Sequence, residues 1–172
     1  ILGLPYPGGP NIAQYAKDGD PFAYALPKAK IRGAYNFSFS GLKTAVLRAS
    51  QAAAGGDYRT PSVELPEWLS EAQKHNMAAS FQRVAIETVV DKTLAAYTEY
   101  APKTVVIAGG VAANQELRTQ LQSRLPIDIT YAPPALCTDN GAMIAALGCY
   151  KAMLGQTPAD PYSLAIEPNL SM

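Results

Sequence analysis

Two short stretches hold the residue types that could do chemistry. In the first, Gly109 and Gly110 are followed by Val-Ala-Ala and then Asn114. Adjacent glycines let a backbone bend with φ above zero and leave no side chain between main chain and ligand. Asn114 has the oxygen to cap a helix, with Glu116 in the first turn. Amide N–H groups at such a start can meet a phosphate or a ribose. A strand-to-helix turn with glycines kept for packing would use the same residues, so both readings stay open. In the second stretch, Cys137-Thr-Asp-Asn-Gly141, Asp139 stands where a helix should open. It is either an N-cap or a carboxylate able to bind a metal at a sheet edge. Neither G-x-G-x-x-G nor G-x-x-x-x-G-K-[ST] occurs. His75 is the only histidine and Ser40 lies in no G-x-S-x-G, so no catalytic residue is assigned.

The elements that must position these stretches follow from periodicity. Residues 104–108 are apolar or β-branched without polar alternation, as in a parallel strand covered on both faces. Leu117, Leu121 and Leu125 then repeat on one face of a helix, and residues 128–131 read as a further short strand. Past Asp139, Ala142, Ala145, Ala146 and Gly148 give a slim helix surface suited to close packing on the sheet. Upstream, Ser70 and Gln73 have capping-box spacing for a long helix that ends before Pro102. Arg83, Glu87 and Asp91 on that helix read as a solvated face with weak i, i+4 pairing. His75, near the helix start, is expected to be partly exposed. Pro10 is placed to open a short helix stopping near Gly19, after the turn cluster that contains Gly8 and Gly9. Tyr35, Phe37 and Phe39 alternate with Asn36 and Ser38, the pattern of a half-buried strand over residues 31–39. A helix over residues 42–49, a surface loop over 52–67 and a loose tail past Gly155 complete the outline.

Composition sets limits. With 172 residues, 48% hydrophobic and 16% charged, the chain can bury a real core but carries less charge than the quarter or so usual in soluble domains, which implies surface meant for a partner. No apolar run reaches 18 residues, so no membrane span is expected. Cys137 and Cys149 lack C-x-x-C spacing and do not suggest a disulfide scaffold, which points to a reducing cytoplasm. The start at Ile1 suggests a fragment or a processed chain. Net charge is zero, yet residues 21–56 contain Lys28, Lys30, Arg32, Lys43 and Arg48 and no acid. Beside the aromatics, that is compatible with an RNA surface or with solvated lysines around a core strand.

Five ordered motifs together are specific. Tyr6-Pro-Gly-Gly-Pro10, Asn36-Phe-Ser-Phe-Ser-Gly-Leu-Lys-Thr44, Ala79-Ser-Phe-Gln82, Ala108-Gly-Gly-Val-Ala-Ala-Asn114 and Cys137-Thr-Asp-Asn-Gly-Ala-Met143 resemble the universal tRNA adenosine threonylcarbamoyltransferase family, once labelled O-sialoglycoprotein endopeptidase or glycoprotease. The resemblance covers the C-terminal half of such a protein. It implies an α/β fold, one lobe of the actin-like, sugar-kinase and heat-shock ATPase (ASKHA) architecture, with a mixed sheet flanked by helices. Residues 1–172 would then be the C-terminal lobe, with 1–30 connecting the lobes, 31–155 the core and 156–172 the tail. By the same resemblance Gly9, Gly109, Gly110 and Asn114 bind a nucleotide of the ATP or AMP type, and Asp139 is a ligand of a divalent metal, iron or zinc. The other ligands of that metal, two histidines, belong to the half that is not here. The implied partners are threonylcarbamoyl-AMP, tRNA and accessory protein subunits, without a membrane, and the implied activity of the longer protein is threonylcarbamoyl transfer, with this chain inactive alone. Two other readings remain: a metal-dependent glycoprotein endopeptidase, disfavoured by the single histidine, and a non-catalytic nucleotide-binding or assembly lobe.

Overall fold

The computed structural model describes residues 1–28, 31–133, 136, 137, 140–158, 160, 162, 163 and 165. Its axis is one long helix, α4. In chain order the helices and strands are α1 (Gly8–Tyr15), α2 (Ser40–Ala53), α3 (Leu65–Trp68), α4 (Glu71–Tyr100), β1 (Val105–Ile107), α5 (Gln115–Arg124), β2 (Ile129–Tyr131) and α6 (Gly141–Met153). Single 3-10 turns follow α1 at Ala16–Asp18 and β1 at Gly110–Ala113.

α4 forms where the sequence says it should. The Ser70 side chain accepts from the Gln73 N–H while the Gln73 side chain accepts from the Ser70 N–H, which satisfies two donors that would otherwise be orphaned. At the far end Ala101 takes a left-handed conformation (φ 42°), and Pro102 cannot continue the helix. Thirty residues at 1.5 Å each make a rod of about 45 Å. Such a rod outruns a single core, and it serves two. Its first half buries Met77, Ala78 and Val84 with Leu42 and Val46 of α2, Leu65 of α3, and Leu2 and Leu26. Its second half buries Ile86 and Val90 with Leu117, Leu121 and Leu125, and against these pack Val105, Ile107 and Ile129. Burial on several sides explains why the buried residues of α4 include Ala79, Ser80 and Thr88 as well as the apolar ridge.

The strands β1 and β2 pair in parallel, Val105 with Ile129, Val106 with Thr130 and Ile107 with Tyr131, and α5 joins them. Among the described residues this two-stranded pair is the sheet, and it is parallel rather than the mixed sheet expected. Its inner face rests on α4 and α5. Its outer face is open: Val106 is 63% exposed, so the expectation of cover on both faces is not met among the described residues. α6 likewise has no buried residue, and its alanines do not seat on the sheet. Both departures have one physical cause, apolar surface with nothing beside it among the described residues.

Residues 31–39 are irregular rather than a strand. The Asn36 side chain donates to the Arg32 carbonyl (3.0 Å), closing a turn, and the Tyr35 hydroxyl donates to the Glu99 carboxylate while Lys92 donates to the Ala34 carbonyl (2.8 Å). Alternating aromatics supply strand propensity but no ladder partner, and local bonds to α4 win. α1 opens at Gly8, two residues before Pro10, and the four-residue α3 interrupts the expected loop. The expected tail falls largely outside the described residues. No helix among the described residues is long and apolar enough to cross a membrane.

The charges of α4 also depart from expectation. Asn76, Ser80, Arg83, Glu87 and Asp91 form one stripe at helical spacing, and residues 20–28 lie along it. Asn76 accepts from the Asp20 N–H (2.8 Å), Ser80 from the Tyr24 N–H (3.1 Å), and Arg83 donates to the Pro21 carbonyl (2.7 Å) while its guanidinium stacks on Phe22. Lys28 then bridges Glu87 (2.9 Å) and Asp91 (2.7 Å), and Arg124 of α5 reaches Asp91 (2.9 Å). Burial pushes the Glu87 and Asp91 carboxyls up, but the hydrogen bonds and positive charges around them outweigh it and hold both below the usual carboxylate range. What reads as a solvated face is a clasp.

Candidate functional site

Gly19 fixes how closely the start of the chain can approach α4. A Cβ there would stand 2.1 Å from the His75 carbonyl oxygen, so only glycine fits. Next to it the Tyr15 ring stacks on His75 (centroids 4.6 Å apart), and His75 Nδ1 lies 2.9 Å from the Tyr15 carbonyl. The sole histidine is thus half-buried and structurally engaged. This seating presents the first turn of α1, with Gly8 and Gly9, toward the loop after β1.

That loop is shaped by one glycine. Gly109 sits at φ 87°, a conformation side chains rarely adopt, and turns the chain from β1 into the 3-10 turn. Gly110, by contrast, opens the turn without positive φ. Arg118 braces the turn from α5, its Nε donating to the Ala112 carbonyl (2.6 Å) and its guanidinium lying 4.7 Å over the Tyr131 ring. Asn114 then caps α5: its Oδ1 accepts from the Leu117 N–H (3.0 Å) and its Nδ2 donates to Gln82 Oε1 (3.1 Å). The second bond ties the start of α5 to the middle of α4.

The two glycine turns meet. Gly9 and Ala13 of α1 face Gly110, Val111 and Asn114 across a cleft of about 560 Å³. A neighbouring hollow of about 370 Å³ shares Gly9 and Asn114 and reaches Phe81, Gln82 and Ile86. Among the described residues, adjoining backbone aside, no atom lies within 4 Å of a Cβ built on Gly9, Gly109 or Gly110. Within this chain none of the three is kept small by packing. The cleft is mainly apolar, with Gln14, Lys17, Asn114 and Gln115 as its polar side chains, and the Asn114–Gln82 pair lines the neighbouring hollow; the starts of α1 and α5 border it, where helix N–H groups can meet an anionic group.

The structure therefore brings Gly9, Gly110 and Asn114 to one place, with Gly109 setting the turn behind them. Asp139 lies outside the described residues. The N-cap of α6 is its neighbour Asn140, whose side chain accepts from the Met143 N–H (3.1 Å), so that capping role is not Asp139's. Among the described residues no group of three or more His, Cys, Asp or Glu side chains could hold a metal ion. Sequence reasoning gave no role to Gln82, although it closes one of the five motifs; a lone glutamine inside an apolar ridge carries no signal until its partner is known. Of the described residues of the basic segment, Lys28 is engaged in the clasp and Arg48 is tied to Gln51 (2.9 Å) and the Tyr58 carbonyl (2.9 Å), while Lys30 lies outside the described residues.

Comparison with known proteins supplies the rest. The family model for tRNA N6-adenosine threonylcarbamoyltransferase matches residues 1–146. Proteins of that name from Thermomicrobium roseum and Symbiobacterium thermophilum are 42% and 45% identical to this chain, over 90% and 87% of its length. The matched region is 44% and 41% of those proteins, so the chain spans less than half the length of the relatives it matches.

Proposed function

The chain belongs to the tRNA N6-adenosine threonylcarbamoyltransferase family, and from that premise we propose that it is the C-terminal lobe of an ASKHA-type transferase whose nucleotide end sits in the cleft between α1 and the start of α5. One observation carries this reading: Gly9, Gly110 and Asn114, distant in sequence, line the same cleft, and the two glycines have open space where a side chain would be. In the longer protein the substrate would be threonylcarbamoyl-AMP and the acceptor tRNA. The carbamoyl carbon gains a bond to the exocyclic amine of adenosine, its bond to the phosphate oxygen breaks, AMP leaves, and the amine loses a proton. The chain's own contribution is positioning. Free N–H groups at the start of α5 and of α1 would hold the AMP phosphate or ribose, and helix starts favour the negative charge that grows on the leaving group. Asn114 would hold the nucleotide through whichever amide group its bonds to Leu117 and Gln82 leave available.

A divalent metal, iron or zinc, belongs to the same reading, with Asp139 as one ligand. The residues described here do not make that site, since a single carboxylate falls short of the three protein ligands a catalytic metal normally keeps, and no step is routed through the metal. Accessory subunits and a cytoplasmic setting accompany the reading. It is tested in the full-length protein by two variants that spare the fold. Gly110→Val puts bulk into open space at an ordinary φ, and Asn114→Asp keeps the cap on Leu117 while the Gln82 amide turns to donate to the new carboxylate. Each is expected to weaken AMP binding and threonylcarbamoyl transfer at least tenfold, about 1.4 kcal/mol, with the melting temperature unchanged. Normal turnover in both would end the site assignment.

A further inference from the structure

Gln82 stands on a face of α4 that has no structural need of an amide. Its helical neighbours at i−4, i−3, i+3 and i+4 are Ala78, Ala79, Ala85 and Ile86, all apolar, and Ala78, Ala79 and Ile86 are buried. Leucine or methionine would suit that face without the cost of desolvating a polar group. Asn114 likewise carries more than capping requires. Serine, threonine or aspartate caps a helix as well, so the Nδ2 group of Asn114 is surplus to the cap on Leu117. These two surplus groups meet: Asn114 Nδ2 donates to Gln82 Oε1 (3.1 Å).

One backbone donor fixes how both amides face. The Leu117 N–H can only donate, so the Asn114 oxygen turns to it (3.0 Å) and Nδ2 points the other way. Nδ2 has hydrogens and no lone pair to offer, so Gln82 must present Oε1 to it. With the Asn114 amide plane held at both ends, its second Nδ2 hydrogen is left with a single direction. Asn114 borders both the cleft of about 560 Å³ and the hollow of about 370 Å³, and Gln82 and Gly9 line that hollow beside it.

We infer that Gln82 is a positioning residue: by accepting one hydrogen of the Asn114 amide it aims the other at an oxygen acceptor of the nucleotide, on the ribose or the phosphate. The inference rests on the reading of the cleft as a nucleotide site, and it deepens that reading by assigning the group that sets the amide's direction. What matters in Gln82 is then the acceptor at Oε1. Glutamate keeps that acceptor in place and makes the bond charge-assisted, whereas methionine keeps the length and suits the apolar face but removes the acceptor.

The experiment compares Gln82→Met and Gln82→Glu in the full-length protein. In protein labelled with [15N]asparagine and free of nucleotide, the Asn114 side-chain amide signal is identified by its loss in Asn114→Asp. Gln82→Met should speed exchange of the bonded Asn114 hydrogen with water about tenfold, and Gln82→Glu should restore the slow exchange. Calorimetry with Gln82→Met should show AMP binding weakened about tenfold, and in threonylcarbamoyl transfer the loss should fall on KM rather than kcat, since the bond to the nucleotide is present before reaction as well as during it. Adenosine weakened equally would place the acceptor on the ribose, and adenosine unaffected would place it on the phosphate. An unchanged Asn114 signal in Gln82→Met, or fast exchange in Gln82→Glu, would overturn the inference. So would a lowered melting temperature with AMP affinity intact, which would make Gln82 a structural tie. Normal AMP binding in Gln82→Met with weakened binding in Gly110→Val would sink the positioning role and keep the nucleotide reading, whereas normal binding in Gly110→Val and Asn114→Asp as well would remove both.

Discussion

The two halves of α4 sit in unlike surroundings. Around the first half, α1, α2, α3 and the strap of residues 20–28 enclose Met77, Ala78 and Val84 from several directions, and Met77 is 1% exposed. Around the second half, α5 and two short strands cover one side of a sheet and leave the other open at Val106. The same helix thus anchors a finished core and an unfinished one. The contrast teaches that exposure alone does not mark an apolar residue as a surface residue. Val106 and Met77 are both apolar, and what differs is whether described elements of this chain lie against them.

If the first core is self-sufficient, damage there should be costly in this chain by itself. Met77→Ala is expected to cost about 3 kcal/mol in urea unfolding, from lost transfer energy plus the cavity left behind. Gly19→Ala should come next, at about 2 kcal/mol, because the new Cβ collides with the His75 carbonyl and backbone must shift. A much smaller loss would mean that the strap moves away from α4 at little cost.

The clasp offers a pH test of the same half. Glu87 and Asp91 are held below their ordinary carboxylate range, so their contribution is present above about pH 4 and is lost as pH falls through the lowered folded values. Lys28 is raised, its burial outweighed by the hydrogen bonds and charges of Asp91 and Glu87, so its contribution holds below its unfolded value and is lost at strongly alkaline pH. Lys28→Ala should therefore destabilise the chain at pH 7 by less than about 1 kcal/mol, as partly exposed pairs do, and by progressively less as pH falls through the lowered Glu87 and Asp91 values. A difference that does not shrink as the pH is lowered would show that packing of the Lys28 stem, not its charge, is what stabilises. Least of all, Val106→Thr should shift the stability of this chain in urea by under about 0.5 kcal/mol, as surface changes do. The same change in the full-length protein should cost more, and equal costs would erase the contrast between the halves.

Local sequence made much of this legible. Capping chemistry at Ser70 and Asn114, the Leu117–Leu121–Leu125 stripe and the breaks at Gly19 and Pro102 each act over a few residues, so spacing reveals them. The cleft was legible only through the resemblance, since Gly9 and Gly110 look like ordinary turn glycines until they are seen to face each other over open space. The strand expected over residues 31–39 failed because a strand needs a partner that alternation does not name. The stripe Arg83, Glu87 and Asp91 was misread for a like reason: helical spacing shows that these residues share a face, not that residues 20–28 would lie on it.

By itself the sequence determined where helices start and stop, which residues are too apolar to stay in water, and which family the motifs point to, because each depends on near neighbours or on residue type. Tertiary structure alone decided that α4 serves two cores, that Gln82 joins Asn114, that Lys28 closes a clasp, and that one face of β1 is left bare. Those are contacts between residues far apart in the chain, and nothing in a local pattern fixes which distant surface will arrive.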